Sequence, residues 1–158
     1  MNGFSIETAY KKIKDIKNLS GVTHVSVANT FGRPEPEMES SKDMVNAVET
    51  WMESGYNGEG MVVAIIDTGV DPSHKDMVLT DASKAKLTSG MIIDVPGTYR
   101  TAKVPYGYNY MDNNQEILDL GPEASEHGMH VAGTVGANGD PANGGIKGVA
   151  PEAQLLDM

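Results

Sequence analysis

The sequence predicts an α/β fold: a parallel sheet flanked by helices. Two observations carry that prediction. The first is the order of elements along the chain, which runs helix, apolar strand, loop, helix, apolar strand. The second is Met61 to Ile66, a continuous apolar run of the kind that suits a strand covered on both sides.

The elements are read in chain order. Residues 6 to 17 place Ile6, Tyr10, Ile13 and Ile16 near one face of a basic amphipathic helix, with Lys11, Lys12, Lys14 and Lys17 between them. Gly21 ends it, and Val22 to Val27 alternates as a strand would. Phe31 to Ser41 carries Gly32, Pro34, Pro36 and three glutamates without apolar periodicity, and reads as an exposed linker. A second helix is predicted from about Lys42 to Glu53, capped by Ser41, with Met44, Val48 and Trp51 on one face. Gly55, Gly58 and Gly60 stop it before the Met61 strand. Residues 80 to 103 are polar and irregular, a surface insertion. Tyr106 to Met111 is a short strand, and Asp112 to Glu126 an acidic loop. A helix begins at His127, a Gly/Asn/Asp loop spans Asn138 to Gly145, and Gln154 to Met158 opens another strand.

Composition narrows the function classes. The chain has 158 residues, enough for one domain or part of a larger one, and 39% of them are hydrophobic. Twelve basic residues against 22 acidic ones give a net charge of -10, which argues against a nucleic-acid partner and suits cation binding. With no cysteine, disulfides, thiol nucleophiles and Cys-ligated metals are excluded. The N-terminus has neither the basic nor the apolar region of a signal peptide, and no stretch approaches the ~20 apolar residues of a membrane span.

Two short segments carry chemistry. Asp67 closes the apolar strand, in the position where open α/β sheets gather functional groups. Thr68 can offer that carboxylate its hydroxyl, and Gly69 lets the backbone turn away. His127 opens a helix rich in small residues, Gly128, Ala132, Gly133 and Gly136, whose glycines suggest close packing rather than helix propensity. The positive helix end favours a neutral imidazole, while a nearby aspartate would favour its protonation and fix its tautomer, which together suit a general base. Taken singly, Asp67 could merely cap a turn and His127 could be a buried, hydrogen-bonded histidine. His127-x-x-His130 could also be drawn as a metal pair, but no acidic third ligand or zinc-peptidase spacing accompanies it, so His130 reads as structural. His24 and His74 have no supporting constellation.

Three ordered segments resemble the subtilisin family: Asp67-Thr68-Gly69-Val70-Asp71, His127-Gly128-Met129-His130-Val131-Ala132-Gly133-Thr134 and Gly148-Val149-Ala150-Pro151-Glu152-Ala153. The likeness covers about residues 42 to 158, and Met129 stands where many members carry Thr. Within that family Ser73-His74-Lys75-Asp76-Met77, Lys103 to Tyr110 and Pro151 to Leu156 are similar to lactocepin-type cell-envelope proteinases. The resemblance implies a serine endopeptidase whose triad includes Asp67 and His127, cutting extracellular proteins from a secreted or cell-wall-attached parent. It implies that residues 1 to 31 end an inhibitor-like propeptide, that 32 to 41 are a linker and maturation region, and that 42 to 158 begin the catalytic domain. The subtilisin-like fold would then be incomplete, its first half only, preceded by a propeptide remnant. No cofactor is implied for the chemistry. A structural calcium is one reading, because Asp76 matches a family ligand position and Asn138 to Gly145 lies where the family's calcium loop falls; an ordinary solvated turn is the other.

The family's third triad member, a serine in a Gly-Thr-Ser setting, and its oxyanion-hole Asn occur nowhere in the 158 residues. The expectation is a fragment inactive alone, by truncation, or an inert remnant retaining the fold's first half. Ala64 to Gly69 also satisfies the apolar-apolar-Asp-Thr-Gly signature of a retroviral-type aspartic protease, but that fold is all-β and has no use for the His127 motif.

Overall fold

The computed structural model describes residues 3–28, 38–118 and 124–158. The chain divides into two compact units, Met1–Glu35 and Pro36–Met158.

In the first unit a single 3-10 turn, Tyr10–Lys12, runs into α1, Ile13–Lys17. The helix is shorter than the predicted 6 to 17 because Ala9 is extended (φ -66°, ψ 136°). None of its residues is buried, and Ile6 and Tyr10 are exposed. A helix that short gains little without a packed face, so it does not extend. Val22 to Val27 is not a strand. No segment pairs with it among the described residues, and an unpaired strand has no ladder to stabilise it.

The second unit opens with two helices where the sequence predicts one, α2 (Met38–Met44) and α3 (Ala47–Ser54). Asn46 separates them in the left-handed conformation, φ 53°, which Asn tolerates better than most residues. Ser41 therefore lies inside α2 and is not a cap, and residues 38 to 41 of the predicted linker are helical; residues 29 to 37 lie outside the described residues. Met44 is exposed, whereas Trp51 is half-buried and donates its Nε1–H to the Val149 carbonyl at 2.8 Å.

The sheet is parallel, in the order β1-β3-β2, with β1 Val62–Ile65, β2 Tyr106–Gly107 and β3 Gln154–Asp157. Its register pairs Val63 with Leu155 and Ile65 with Asp157. Beyond Gly107 the predicted Tyr106 to Met111 strand gives way to a turn closed by the Asn109–Asn114 bridge. Against β1 and β3 lies α4, His127–Gly136. Ile65, Val70, Met77, Val104, Ala132, Ala137 and Leu155 form the core, with Val63, Met129 and Ile146 packed on it.

Only one face of β1 is covered, not both as the apolar run suggested. Alternation sends Val63 and Ile65 to the core and leaves Ala64 and Ile66 exposed, Ile66 to 78%. The small residues of α4 allow the close packing expected of them. A Cβ on Gly148 would lie 2.6 Å from the Gly133 carbonyl and 2.7 Å from the Gly136 nitrogen, so the chain entering β3 runs directly against the helix.

The polar stretch 80 to 103 is irregular, apart from single 3-10 turns at Ala82–Lys84 and Ser89–Met91. Its last residue departs from a surface insertion. Lys103 is 1% exposed, and its ammonium donates to the carbonyls of Pro151 (2.7 Å) and Ala153 (2.5 Å). Burial pushes this amine down to about 8, with Glu152 opposing the shift.

Candidate active site

The site forms where β1 ends against the first turn of α4. The Asp67 N–H donates to the Met158 carbonyl (3.3 Å) and the Met158 N–H to that of Ile65 (2.9 Å), so the parallel pairing extends just past the strands. Gly69 then turns the chain at φ 128°, a backbone conformation that a side chain would strain.

Asp67 and His127 meet there. Nδ1 of His127 lies 2.8 Å from Oδ1 and 2.9 Å from Oδ2 of Asp67. The His127 hydrogen bond, joined by the Thr68 amide on Oδ1 at 2.8 Å, holds the Asp67 carboxyl below its ordinary value. A carboxylate accepts only, so Nδ1 carries a proton, and in the neutral imidazole the lone pair is then on Nε2. The imidazole is 67% exposed and the carboxylate 17%, which leaves the base open to an incoming group while its orienting partner is sheltered.

Thr68 serves the carboxylate mainly through its backbone N–H, with its side chain adding a smaller contribution. The hydroxyl donates to the Ser125 carbonyl (3.0 Å) and accepts from the Gly128 N–H (3.0 Å), stitching the turn after β1 to the start of α4. Gly128 is required by the same approach: a Cβ there would sit 2.6 Å from the Gly69 oxygen and 2.7 Å from its nitrogen.

A cleft of about 700 Å³ opens beside the pair, lined among others by Asp67, Thr68, Tyr108, Ile117, Asp157 and Met158. Asp157 is a residue that sequence reasoning misses. It is 2% exposed, and its Oδ2 accepts from the Val70 N–H at 3.1 Å. Burial pushes its carboxyl up to about 6, the Val70 amide and Arg100 oppose that shift, and the Asp67 charge adds to it. The signal was present, since Leu155-Leu156-Asp157 repeats the pattern of Ile65-Ile66-Asp67, an acid closing an apolar run.

The other candidates lie apart from this pair. His130 is exposed on α4, and no group of three His, Cys, Asp or Glu suited to a metal gathers among the described residues. His74 accepts the Asp76 N–H at its Nδ1 (3.2 Å), and His24 is exposed. Asp76 is 4% exposed and packs on the Asn138–Gly145 loop, but its oxygens already have partners. Oδ1 takes the Lys75 ammonium at 3.1 Å, and Oδ2 takes the Ile146 N–H at 3.1 Å. Lys75 also donates to the Gly144 carbonyl at 2.9 Å, while the Asp140 carboxylate caps Ala142 and Asn143. Calcium needs six to eight oxygens free to point inward. These residues, closed on each other and on a lysine, do not fit it.

Known proteins are similar to this chain. The subtilase family (peptidase S8) matches residues 58–158. The chain is 44% identical over 165 residues to a PII-type proteinase of Lacticaseibacillus paracasei, a match covering 100% of this chain and 8% of that protein. It is 39% identical over 126 residues to the minor extracellular protease Vpr of Bacillus subtilis, covering 77% of this chain and 12% of that protein. To a C5a peptidase of Streptococcus pyogenes serotype M3 it is 32% identical over 146 residues, covering 83% and 12%. The chain thus spans about a tenth of the length of these relatives. A parallel α/β sheet, an Asp at the end of its first strand and a His opening the helix behind it, together with these matches, exclude the all-β aspartic-protease alternative. The chain belongs to the subtilase family.

Proposed function

We propose that residues 42 to 158 supply the Asp and His of a subtilisin-type serine endopeptidase that hydrolyses peptide bonds in extracellular proteins. The observation that supports this reading is the His127 Nδ1 placed 2.8 and 2.9 Å from the two Asp67 oxygens. With Nδ1–H held by the carboxylate, Nε2 of His127 takes the proton of a serine hydroxyl as that oxygen attacks the peptide carbonyl. It then returns the proton to the leaving amine. Asp67 stays ionised, orients the ring and stabilises the imidazolium.

The chemistry needs no cofactor, and calcium has no step in it. No serine of the 158 residues stands in a Gly-Thr-Ser setting, so the nucleophile and the oxyanion-hole Asn come from sequence outside these residues. The chain alone is then inactive. Residues 1 to 31 are proposed as the end of the parent's own propeptide and 32 to 41 as the maturation linker. A secreted or cell-wall-attached parent is supported by the likeness to lactocepin-type proteinases and by the name of the extracellular Bacillus subtilis relative. Among the described residues no helix is long and apolar enough to cross a membrane.

The test uses a serine-directed fluorophosphonate and an amidolytic peptide on two proteins, the 158-residue chain and a longer chain extended to include the family's serine segment. Label and turnover are expected in the longer chain only, and Asp67→Asn there lowers turnover by ~10⁴ with the fold intact, as a wrong tautomer does in a triad. Stoichiometric labelling of the 158-residue chain refutes the assignment. A longer chain that neither labels nor turns over supports the second reading, an inert remnant.

A further inference from the structure

We propose that Asp157 is a positioning carboxylate for the Asp67–His127 pair, fixing the turn that aims Asp67 and adding its charge behind it. The proposal rests on the catalytic reading of that pair.

The argument begins with how the turn is held. Asp67 and Val70 bound the four residues between β1 and the following chain, and adjacent residues at the end of β3 grip both ends. The Asp67 N–H donates to the Met158 carbonyl at 3.3 Å, and the Val70 N–H donates to Asp157 Oδ2 at 3.1 Å. Val70 shares its N–H with the Ile117 carbonyl at 3.2 Å, so the carboxylate is one of two acceptors there. Between these anchors stands Gly69 at φ 128°, with Gly128 of α4 packed directly against it. Movement of the Val70 end therefore reaches both the carboxylate and the helix that carries the imidazole.

Side-chain direction follows from register. Asp157 pairs with Ile65 in a parallel ladder, which puts both side chains on the α4 side of the sheet. Asp67, two residues after Ile65, belongs to the same side. Two carboxylates are thus placed together at the mouth of one cleft, one exposed to His127 and the other 2% exposed beneath it.

A buried acid in this place needs a compensating group. The charged groups acting on it are Asp67, which repels it, and Arg100, which attracts it; the Val70 and Met158 amides act as donors. Arg100 Nη2 is tied to the Gln115 carbonyl at 2.7 Å, while its buried Nε has no hydrogen-bond partner among the described residues. An apolar residue at 157 would fill the same strand position without any of this. The carboxylate is explained by what it holds and by the charge it adds.

The experiment compares the 158-residue chain with its Asp157→Asn and Asp157→Ala variants at pH 7.5. It reads the Val70 amide exchange rate and the proton NMR signal of His127 Nδ1–H in its bond to Asp67. Asn keeps an acceptor but not the charge. Its Val70 protection is expected to stay within about twofold, while the Nδ1–H resonance moves because the neighbouring charge has gone. Ala removes both, so Val70 exchanges about tenfold faster and the Nδ1–H signal broadens or disappears. An Nδ1–H signal unchanged in both variants overturns the proposal, leaving Asp157 as an acceptor for one amide and nothing more. If the Ala variant does not fold, the Asn variant decides alone: a wild-type Nδ1–H position refutes the charge behind the pair. Asp67→Asn separates this from the catalytic reading. Failure of Asp67→Asn to alter the Nδ1–H signal overturns the reading of the pair itself. Loss of the signal there, with none of these changes at 157, overturns only the role of Asp157.

Discussion

Gly128→Ala tests how closely the Asp67–His127 geometry depends on a single missing side chain. The added Cβ would lie 2.6 Å from the Gly69 oxygen, 2.7 Å from its nitrogen and 3.1 Å from the Thr68 nitrogen. All three are backbone atoms of the turn that follows Asp67, so no side chain can rotate aside. Reaching even a tight contact of 3.0–3.4 Å requires α4 and that turn to part by about 0.4–0.8 Å. His127 rides on one partner and Asp67 on the other. The same separation stretches the 2.8 Å Nδ1–Oδ1 distance past the range of a good hydrogen bond. It also pulls on the bond from the Gly128 N–H to the Thr68 hydroxyl, now 3.0 Å. Overpacking of this kind costs about 1–3 kcal/mol, and the better helix propensity of Ala returns at most ~1 kcal/mol. A net loss of about 1–2 kcal/mol is expected from urea unfolding of the 158-residue chain. In a longer chain carrying the serine, a misplacement approaching 1 Å lowers turnover by ~10², mostly in kcat. A Gly128→Ala protein as stable as wild type, with an unchanged His127 Nδ1–H signal and full turnover, refutes the reasoning.

Other expectations follow from the same structure. Burial holds Lys103 at about 8 in the fold, below its ordinary value of 10.5, so the folded state binds fewer protons between those values. Stability should therefore rise as pH goes from 8 toward 10.5, by as much as about 3 kcal/mol, and urea unfolding at pH 8, 9 and 10 should show a rise that Lys103→Met abolishes. Because the oxygens around Asp76 are already engaged by Lys75, Ile146 and the loop itself, thermal unfolding in a chelator and in millimolar calcium should give the same midpoint. A clear upward shift with calcium shows that Lys75 yields its place. If residues 1 to 31 are a separable propeptide end, limited proteolysis should cut first between Phe31 and Met38, ahead of α2, and leave the rest resistant. First cleavage confined to 80 to 103, with the N-terminal residues protected, refutes that division.

By itself the sequence determined the parallel α/β class and the meeting of Asp67 with His127. Both are written locally: an apolar run ending in Asp-Thr-Gly, and a His opening a helix whose small residues admit a close neighbour. Tertiary structure decided whatever depends on a distant partner. Val22 to Val27 has strand alternation but no strand to pair with among the described residues, and of Tyr106 to Met111 only Tyr106 and Gly107 stay in register with β3. The Lys42 to Glu53 pattern does not reveal the left-handed Asn46 that splits it, because apolar spacing records which face is buried and not where the backbone turns. Lys103, in a polar stretch, is buried because the carbonyls of Pro151 and Ala153 meet its ammonium from about fifty residues away. Asp157 carries the same local signature as Asp67, yet the two have opposite surroundings. Asp67 faces an imidazole at the cleft and titrates low, whereas Asp157 lies beneath it and is pushed up by burial. Pattern places an acid at the end of a strand, but its desolvation and its neighbours, which fix its charge, exist only once the chain has folded.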